Sequence, residues 1–79
     1  MEWKVGERVI WVALRNSPQH YMPGEKLAGK IICAFDNGGR PTYRIRLDTV
    51  WNEKAIGEPI GRPIVVGNVM SAQILPIVG

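Results

Sequence analysis

The side chains best suited to binding chemistry are basic and lie close together in the sequence. Arg44 and Arg46 are two residues apart in the segment PTYRIRLD, and Lys30 lies in the apolar segment before it. Residues two apart in a strand point to the same face. A basic face with aromatic rings to stack on bases suits single-stranded nucleic acid. The sequence therefore predicts a ligand-binding surface made of Lys30, Arg44, Arg46, Tyr21 and Trp51.

The alternative is an ordinary solvated strand face, on which Asp48 and Glu7 neutralise part of the charge. The chain has a net charge of +3 and a pI of about 9.4. This balance permits an anionic partner without requiring one. The ten basic residues are spread from Lys4 to Arg62 with no two adjacent, which excludes a disordered basic arm.

The residue types give little support to catalysis or metal binding. Cys33 and His20 are the only residues of their types, so neither a disulfide within the chain nor a four-ligand zinc site can form. The carboxylates fall in predicted turns and loops without the spacing of an acid–base pair, and the glycines follow no phosphate-binding pattern. We therefore predict no catalytic residue, no metal and no cofactor, and a protein that is not an enzyme.

The basic residues belong to a predicted β-hairpin. An apolar strand over Leu27–Phe35 is followed by the turn-forming cluster Asp36-Asn37-Gly38-Gly39 and by an alternating strand over Thr42–Asp48. Gly29 within the first of these strands predicts a bulge or a tight bend. The side chains predicted to point inward are Ile31, Cys33, Phe35, Tyr43, Ile45 and Leu47.

Glycine and proline divide the rest of the chain into short segments, which predicts an all-β protein with one domain over residues 1–79. A first strand over Glu7–Leu14, apolar on both faces, precedes a long loop over Arg15–Lys26. A second long loop is expected over Asp48–Arg62. A short strand over Ile64–Val66 is expected to break at Gly67-Asn68, and the last strand covers Val69–Ile77 with a 3₁₀ turn near Ser71–Gln73.

Three short segments resemble those of SH3-like barrels. They are Gly6-Glu7-Arg8-Val9, Gly29-Lys30-Ile31 and Tyr43-Arg44-Ile45-Arg46-Leu47-Asp48. Similar segments occur in Tudor-like, KOW-like and nitrile-hydratase-β-like barrels. The resemblance implies a small five-stranded SH3-like barrel with long first and third connecting loops, acting as a binding or assembly module. For a Tudor-like barrel it also implies an aromatic cage, for which Trp11, Tyr21, Tyr43 and Trp51 are the available rings.

A narrower resemblance is to the plasmid-borne type II dihydrofolate reductases. The segments Gly6-Glu7-Arg8-Val9 and Ser71–Ile77 are similar to two of that family's segments. The resemblance implies a tetramer with a central pore, in which Gln73 and Ile74 would bind NADPH and folate. The chain departs from the family at Leu75, where the family has Tyr, and at Trp11, where it has the pore Lys.

The apolar segments of the chain bear on its partners and its location. The doubly apolar first strand and the nearly uncharged C-terminal segment VMSAQILPIVG predict a homo-oligomer. The early charged residues interrupt any secretory signal, no stretch is long and apolar enough for a membrane span, and the one cysteine is unpaired, so a cytoplasmic protein is expected. The prediction is a non-enzymatic SH3-like module, with an NADPH-dependent reductase and a single-stranded nucleic-acid binder as alternatives.

Overall fold

The computed structural model describes residues 3–14, 22–52 and 56–77. They form five strands and one 3₁₀ turn, which confirms the all-β prediction. In chain order the elements are β1 (Arg8–Val12), β2 (Lys26–Asn37), β3 (Arg40–Val50), β4 (Pro59–Met70), the 3₁₀ turn (Ser71–Gln73) and β5 (Ile74–Pro76).

All five strands belong to one antiparallel sheet in the order β4-β3-β2-β1-β5. The C-terminal strand β5 therefore pairs with β1, and Val9 lies opposite Pro76. In the described part of the chain, β4 and β5 are the two edges and the sheet is open between them. The consequence for function is that β1, β2 and β3 are interior strands with neighbours on both sides.

The hairpin of β2 and β3 forms around the predicted turn. Gly38 and Gly39 have φ values of 63° and 87°, which residues with a Cβ adopt only at a cost. The Asp36 Oδ1 atom accepts a hydrogen bond from the Gly39 amide at 2.7 Å. The glycine pair and the aspartate together fix the register that places Asn37 opposite Arg40.

One side of the sheet carries the hydrophobic core. On β3 the alternation predicted from the sequence is confirmed, because Tyr43, Ile45 and Leu47 are each fully buried. Ile31 on β2 is also fully buried, as predicted. The remaining buried members of the core cluster are Val9, Trp11, Ala13, Leu27, Val66, Val69 and Ile74.

The prediction that Cys33 and Phe35 point into the core is wrong. Ile31 pairs with Ile45 and Cys33 pairs with Arg44, so Ile32 is an extra residue in β2 and forms a β-bulge. One extra residue transfers every later side chain to the opposite face. Cys33 and Phe35 are accordingly half-buried on the other side of the sheet, and Ala34 packs against the core instead.

Gly29 confirms the predicted irregularity in β2. The register shifts between Ala28 and Gly29, where Asp48 is the extra residue on β3. A Cβ at position 29 would lie 2.7 Å from the Leu47 Cα and closer still to the Arg46 carbonyl oxygen. No side chain fits there, so the glycine lets β2 and β3 approach each other at this point.

The C-terminal half differs most from the prediction. The expected loop over Asp48–Arg62 is strand at both of its ends, since β3 continues to Val50 and β4 begins at Pro59. The expected break at Gly67-Asn68 is also wrong, because β4 runs through both residues to Met70. The third connection is thus shorter than predicted, whereas the 3₁₀ turn at Ser71–Gln73 is confirmed.

A basic face on the outer side of the sheet

The outer face is the side of the sheet opposite the core. On β3 it carries the even-numbered residues from Arg40 to Asp48, of which Thr42 is buried. Cross-strand pairing extends it to the neighbouring strands, because residues directly opposite each other share a face. Five basic side chains and one carboxylate lie on this face: Arg8, Lys30, Arg40, Arg44, Arg46 and Asp48.

Three of the basic residues form a row across adjacent strands. Arg8 on β1 is opposite Lys30 on β2, and Lys30 is opposite Arg46 on β3. All three are exposed. This arrangement brings together Lys30 and Arg46 as the sequence predicted, and adds Arg8 as a third member. Val65 on β4 is opposite Arg46 and is 48% exposed, so it forms the apolar end of the row.

Arg44 lies next to the row, between two β-bulges. On one side it is opposite Cys33, directly after the bulge at Ile32. On the other side the pairing passes from Val69 to Val66, so Gly67 and Asn68 together face Arg44. A Cβ at Gly67 would lie 3.9 Å from the Arg44 Nε atom. The Arg44 side chain therefore extends toward β4 beside a residue without a side chain.

Asp48 neutralises one member of the row. The Arg8 guanidinium donates to the Asp48 carboxylate through Nη2 to Oδ1 at 2.9 Å and through Nη1 to Oδ2 at 3.2 Å. This ion pair crosses β2, since Arg8 lies on β1 and Asp48 on β3. Ala28 on β2 is fully buried. The hydrogen bond from Arg8 lowers the pKa of Asp48 below its ordinary value of 3.8 and raises the pKa of Arg8. A hydrogen bond from the Thr49 hydroxyl at 2.6 Å lowers the pKa of Asp48 further.

The other basic side chains of the face have no such partner. Among residues 3–14, 22–52 and 56–77, the pair between Arg8 and Asp48 is the only ion pair. Lys30 and Arg44 form no ion pair there, and Arg46 acts on Asp48 only through its charge, which also lowers the pKa of that carboxyl. All three side chains are exposed and can contact an anion. Like charges placed directly opposite each other in a sheet are destabilising, so the pairing of Lys30 with Arg46 opposes folding slightly.

The aromatic residues predicted to serve this face are only partly placed there. Trp51 is half-buried directly after β3, and its amide donates to the Lys26 carbonyl at 3.0 Å. Tyr21 lies outside the described residues. Trp11 and Tyr43 are core residues with at most 1% exposure, so they cannot line an aromatic cage. Phe35 is the aromatic residue of the outer face that the sequence pattern missed.

The pair proposed for a reductase pore is divided by the fold. Ile74 begins β5 opposite Trp11 and is buried, with 4% exposure. Gln73 ends the 3₁₀ turn, and its Oε1 atom accepts a hydrogen bond from the Met70 amide at 3.3 Å. In this protomer Ile74 contributes to the core and Gln73 stabilises the turn, so only Gln73 has exposed surface to offer a ligand.

Within the described residues, no three side chains of His, Cys, Asp or Glu come together as a metal site would need. Nor does that part of the chain contain a helix of the length and apolarity that crossing a membrane takes. Comparison of the chain with known protein families, with curated proteins and with solved structures gave no match.

Proposed function

We propose that this protein is a non-enzymatic binding module of the SH3-like barrel type whose outer face binds a polyanion. The observation that carries the proposal is the row of Arg8, Lys30 and Arg46 across three adjacent strands, with Arg44 beside it. Single-stranded nucleic acid is the polyanion that this face suits best.

The strand arrangement supports the barrel type. The order β4-β3-β2-β1-β5, a tight hairpin and a 3₁₀ turn directly before a short last strand are features of SH3-like barrels. The pairing of β5 with β1 places the first and last strands side by side, as they are in such barrels. The bulges in β2 and β4 bend a sheet in the way that small barrels use at their corners.

The charge arrangement supports the ligand class. Five basic side chains share the face with one carboxylate, an excess larger than the chain's whole net charge of +3. Lys30 and Arg46 face each other, and in the described part of the chain neither has an ion-pairing counterion. A repeating anion supplies those counterions, and phosphates along a nucleic-acid strand have the required repetition.

The test is a titration of a fluorescent oligothymidine at several salt concentrations. The Lys30→Gln/Arg46→Gln variant removes two charges from the row, and the matched Lys4→Gln/Arg62→Gln variant removes two exposed charges that are not part of the row. We expect the first variant to bind about tenfold more weakly. The slope of log K against log salt concentration should become shallower by roughly 1.4, because each phosphate contact on a single strand contributes about 0.7 to it. Equal losses in both variants would show that only net charge matters and would end the proposal.

A second candidate function is self-association, which the exposed apolar residues of both edge strands favour. Val65 on β4 is 48% exposed and Leu75 on β5 is 39% exposed. Edge strands with apolar side chains are sites where another chain can pair. Light scattering during gel filtration tests this, with Val65→Lys and Leu75→Lys expected to give monomers. A wild-type protein that elutes as a monomer at high concentration would exclude it.

A further inference from the structure

We infer that Phe35 is a base-stacking platform, and that the ligand of the outer face is therefore recognised by its bases as well as by its phosphates. This inference rests on the proposed function and deepens it. The bulge at Ile32 is the feature that makes it available, because without the extra residue Phe35 would point into the core.

The position of Phe35 relative to the cations is set by the register. Phe35 is opposite Thr42 on β3, and Thr42 is opposite Met70 on β4. Arg44 follows Thr42 on the same face, and Arg46 follows Arg44. Successive outer residues of one strand are about 7 Å apart. Phe35 therefore lies at one end of a track of cations, in the strand next to the one that carries Arg44 and Arg46.

The burial of the residues at this end of the face indicates that the Phe35 ring is partly packed. Phe35 is half-buried, Met70 is half-buried and Thr42 between them is 1% exposed. A half-buried ring suits stacking, because its packing limits its motion and a base that contacts its exposed part need not order a mobile side chain. Stacking tolerates any base, since every base has a π-face.

This chemistry distinguishes among polyanions. Polyphosphate and an acidic peptide offer charge without flat rings. Paired bases in a duplex are stacked on each other and are inaccessible to a ring on a sheet face. A single-stranded nucleic acid presents both parts, so its bases can contact Phe35 while its phosphates contact Arg44, Arg46 and Lys30.

The test compares an oligothymidine with an abasic oligonucleotide of the same length, which carries the same phosphates without bases. We expect the wild-type protein to bind the oligothymidine about tenfold more tightly, the difference that a single stacked base accounts for. Phe35→Leu keeps an apolar side chain and should abolish this preference while leaving the affinity for the abasic strand unchanged. Phe35→Trp should retain or increase the preference.

The outcomes separate this inference from the proposed function. Equal binding of the two oligonucleotides by the wild-type protein overturns base stacking but leaves phosphate binding intact, and so does a preference that Phe35→Leu does not change. Polyglutamate binding as tight as that of the oligothymidine would assign the face to acidic peptides instead. If neither oligonucleotide binds, or if Lys30→Gln/Arg46→Gln leaves the affinity unchanged, the proposed function itself is wrong.

Discussion

Gly29 lies so close to the backbone of β3 that a Cβ atom at this position would clash with it. The atoms that such a carbon would meet, the Leu47 Cα at 2.7 Å and the Arg46 carbonyl, are backbone atoms that cannot rotate away. Gly29 is also opposite Val9 and Leu47, so it lies at the centre of the core. A domain of this size has only about 3–5 kcal/mol of net stability.

The first prediction is that Gly29→Ala removes most of the stability of the protein. Separating β2 from β3 at this point should cost more than about 3 kcal/mol, in the range of overpacked or strained core sites. Gly67→Ala is the matched control, because its Cβ would meet only the Arg44 side chain at 3.9 Å. Urea denaturation followed by tryptophan fluorescence measures both. Similar stabilities of the two variants would show that β2 and β3 are farther apart than described.

The second prediction concerns pH and the pair of Arg8 with Asp48. The folded state lowers the pKa of Asp48 below its ordinary value of 3.8. The stability that the pair contributes is therefore complete above about pH 4–5 and is lost as the pH falls through the lowered pKa. Because the side chains are 45% and 38% exposed, we expect only about 0.2–1 kcal/mol.

Comparison of the wild-type protein with Asp48→Asn by thermal denaturation across this range checks the second prediction. The difference in stability should be constant near neutral pH and should vanish in acid. A difference that persists at low pH would mean that the carboxylate stabilises the fold by something other than its charge.

The same residue gives a third prediction, for binding. Asp48→Asn frees the Arg8 guanidinium from its counterion, so the row gains a third unpaired cation. We expect oligothymidine to bind more tightly to this variant and the salt dependence to rise by roughly 0.7, the contribution of one additional phosphate contact on a single strand. Unchanged binding with an unchanged salt dependence would place the ligand away from Arg8.

Among the elements, the hairpin of β2 and β3 shows how far a sequence pattern can define a face. The turn was predictable, because Asp36 and two adjacent glycines are typical of a tight turn with positive φ. The alternation of β3 was predictable too, since charged and apolar residues mark the two faces. In β2, Ile31, Ile32 and Cys33 are all apolar, so a one-residue shift leaves no trace in the pattern. The location of Phe35, and with it part of the candidate site, could not be predicted for this reason.

The fourth prediction tests the bulge in β2. Ile31→Ala should cost about 2–5 kcal/mol, the usual loss for a large buried aliphatic residue. Cys33→Ala should cost well under 1 kcal/mol, because the side chain is half-buried on the outer face. The free energies of unfolding in urea distinguish a β2 strand with the bulge, in which Cys33 lies on the outer face, from a regular strand, in which Cys33 lies in the core. Comparable losses at the two positions would place Cys33 in the core and remove the bulge.

For the whole molecule, the largest difference between predicted and observed structure lies in the edge strand β4. Glycine and proline predict a loop up to Arg62 and a strand break at Gly67-Asn68, yet β4 begins at Pro59 and continues through Gly67 and Asn68. An edge strand tolerates proline, because one row of its backbone N–H groups faces solvent. Gly61 and Asn68 have positive φ values of 83° and 54° and are accommodated within the strand. Edge position depends on the whole sheet, so local composition could not reveal it.

The outer face has a consequence for the stability of the molecule, and this gives the last prediction. Opposed like charges destabilise a sheet by a few tenths to about 1 kcal/mol per pair, and Lys30 faces Arg46 without a described counterion. Lys30→Gln/Arg46→Gln should therefore raise the melting temperature at low salt by several degrees, since about 1 kcal/mol shifts a domain of this size by about 4–8 °C. The gain should shrink at high salt, where charges more than a few ångströms apart are screened. Lys4→Gln/Arg62→Gln should show little of it. If the row serves binding at the expense of stability, Lys30→Gln/Arg46→Gln should raise the melting temperature and lower the affinity for oligothymidine. A decrease in both would show that the row stabilises the fold instead.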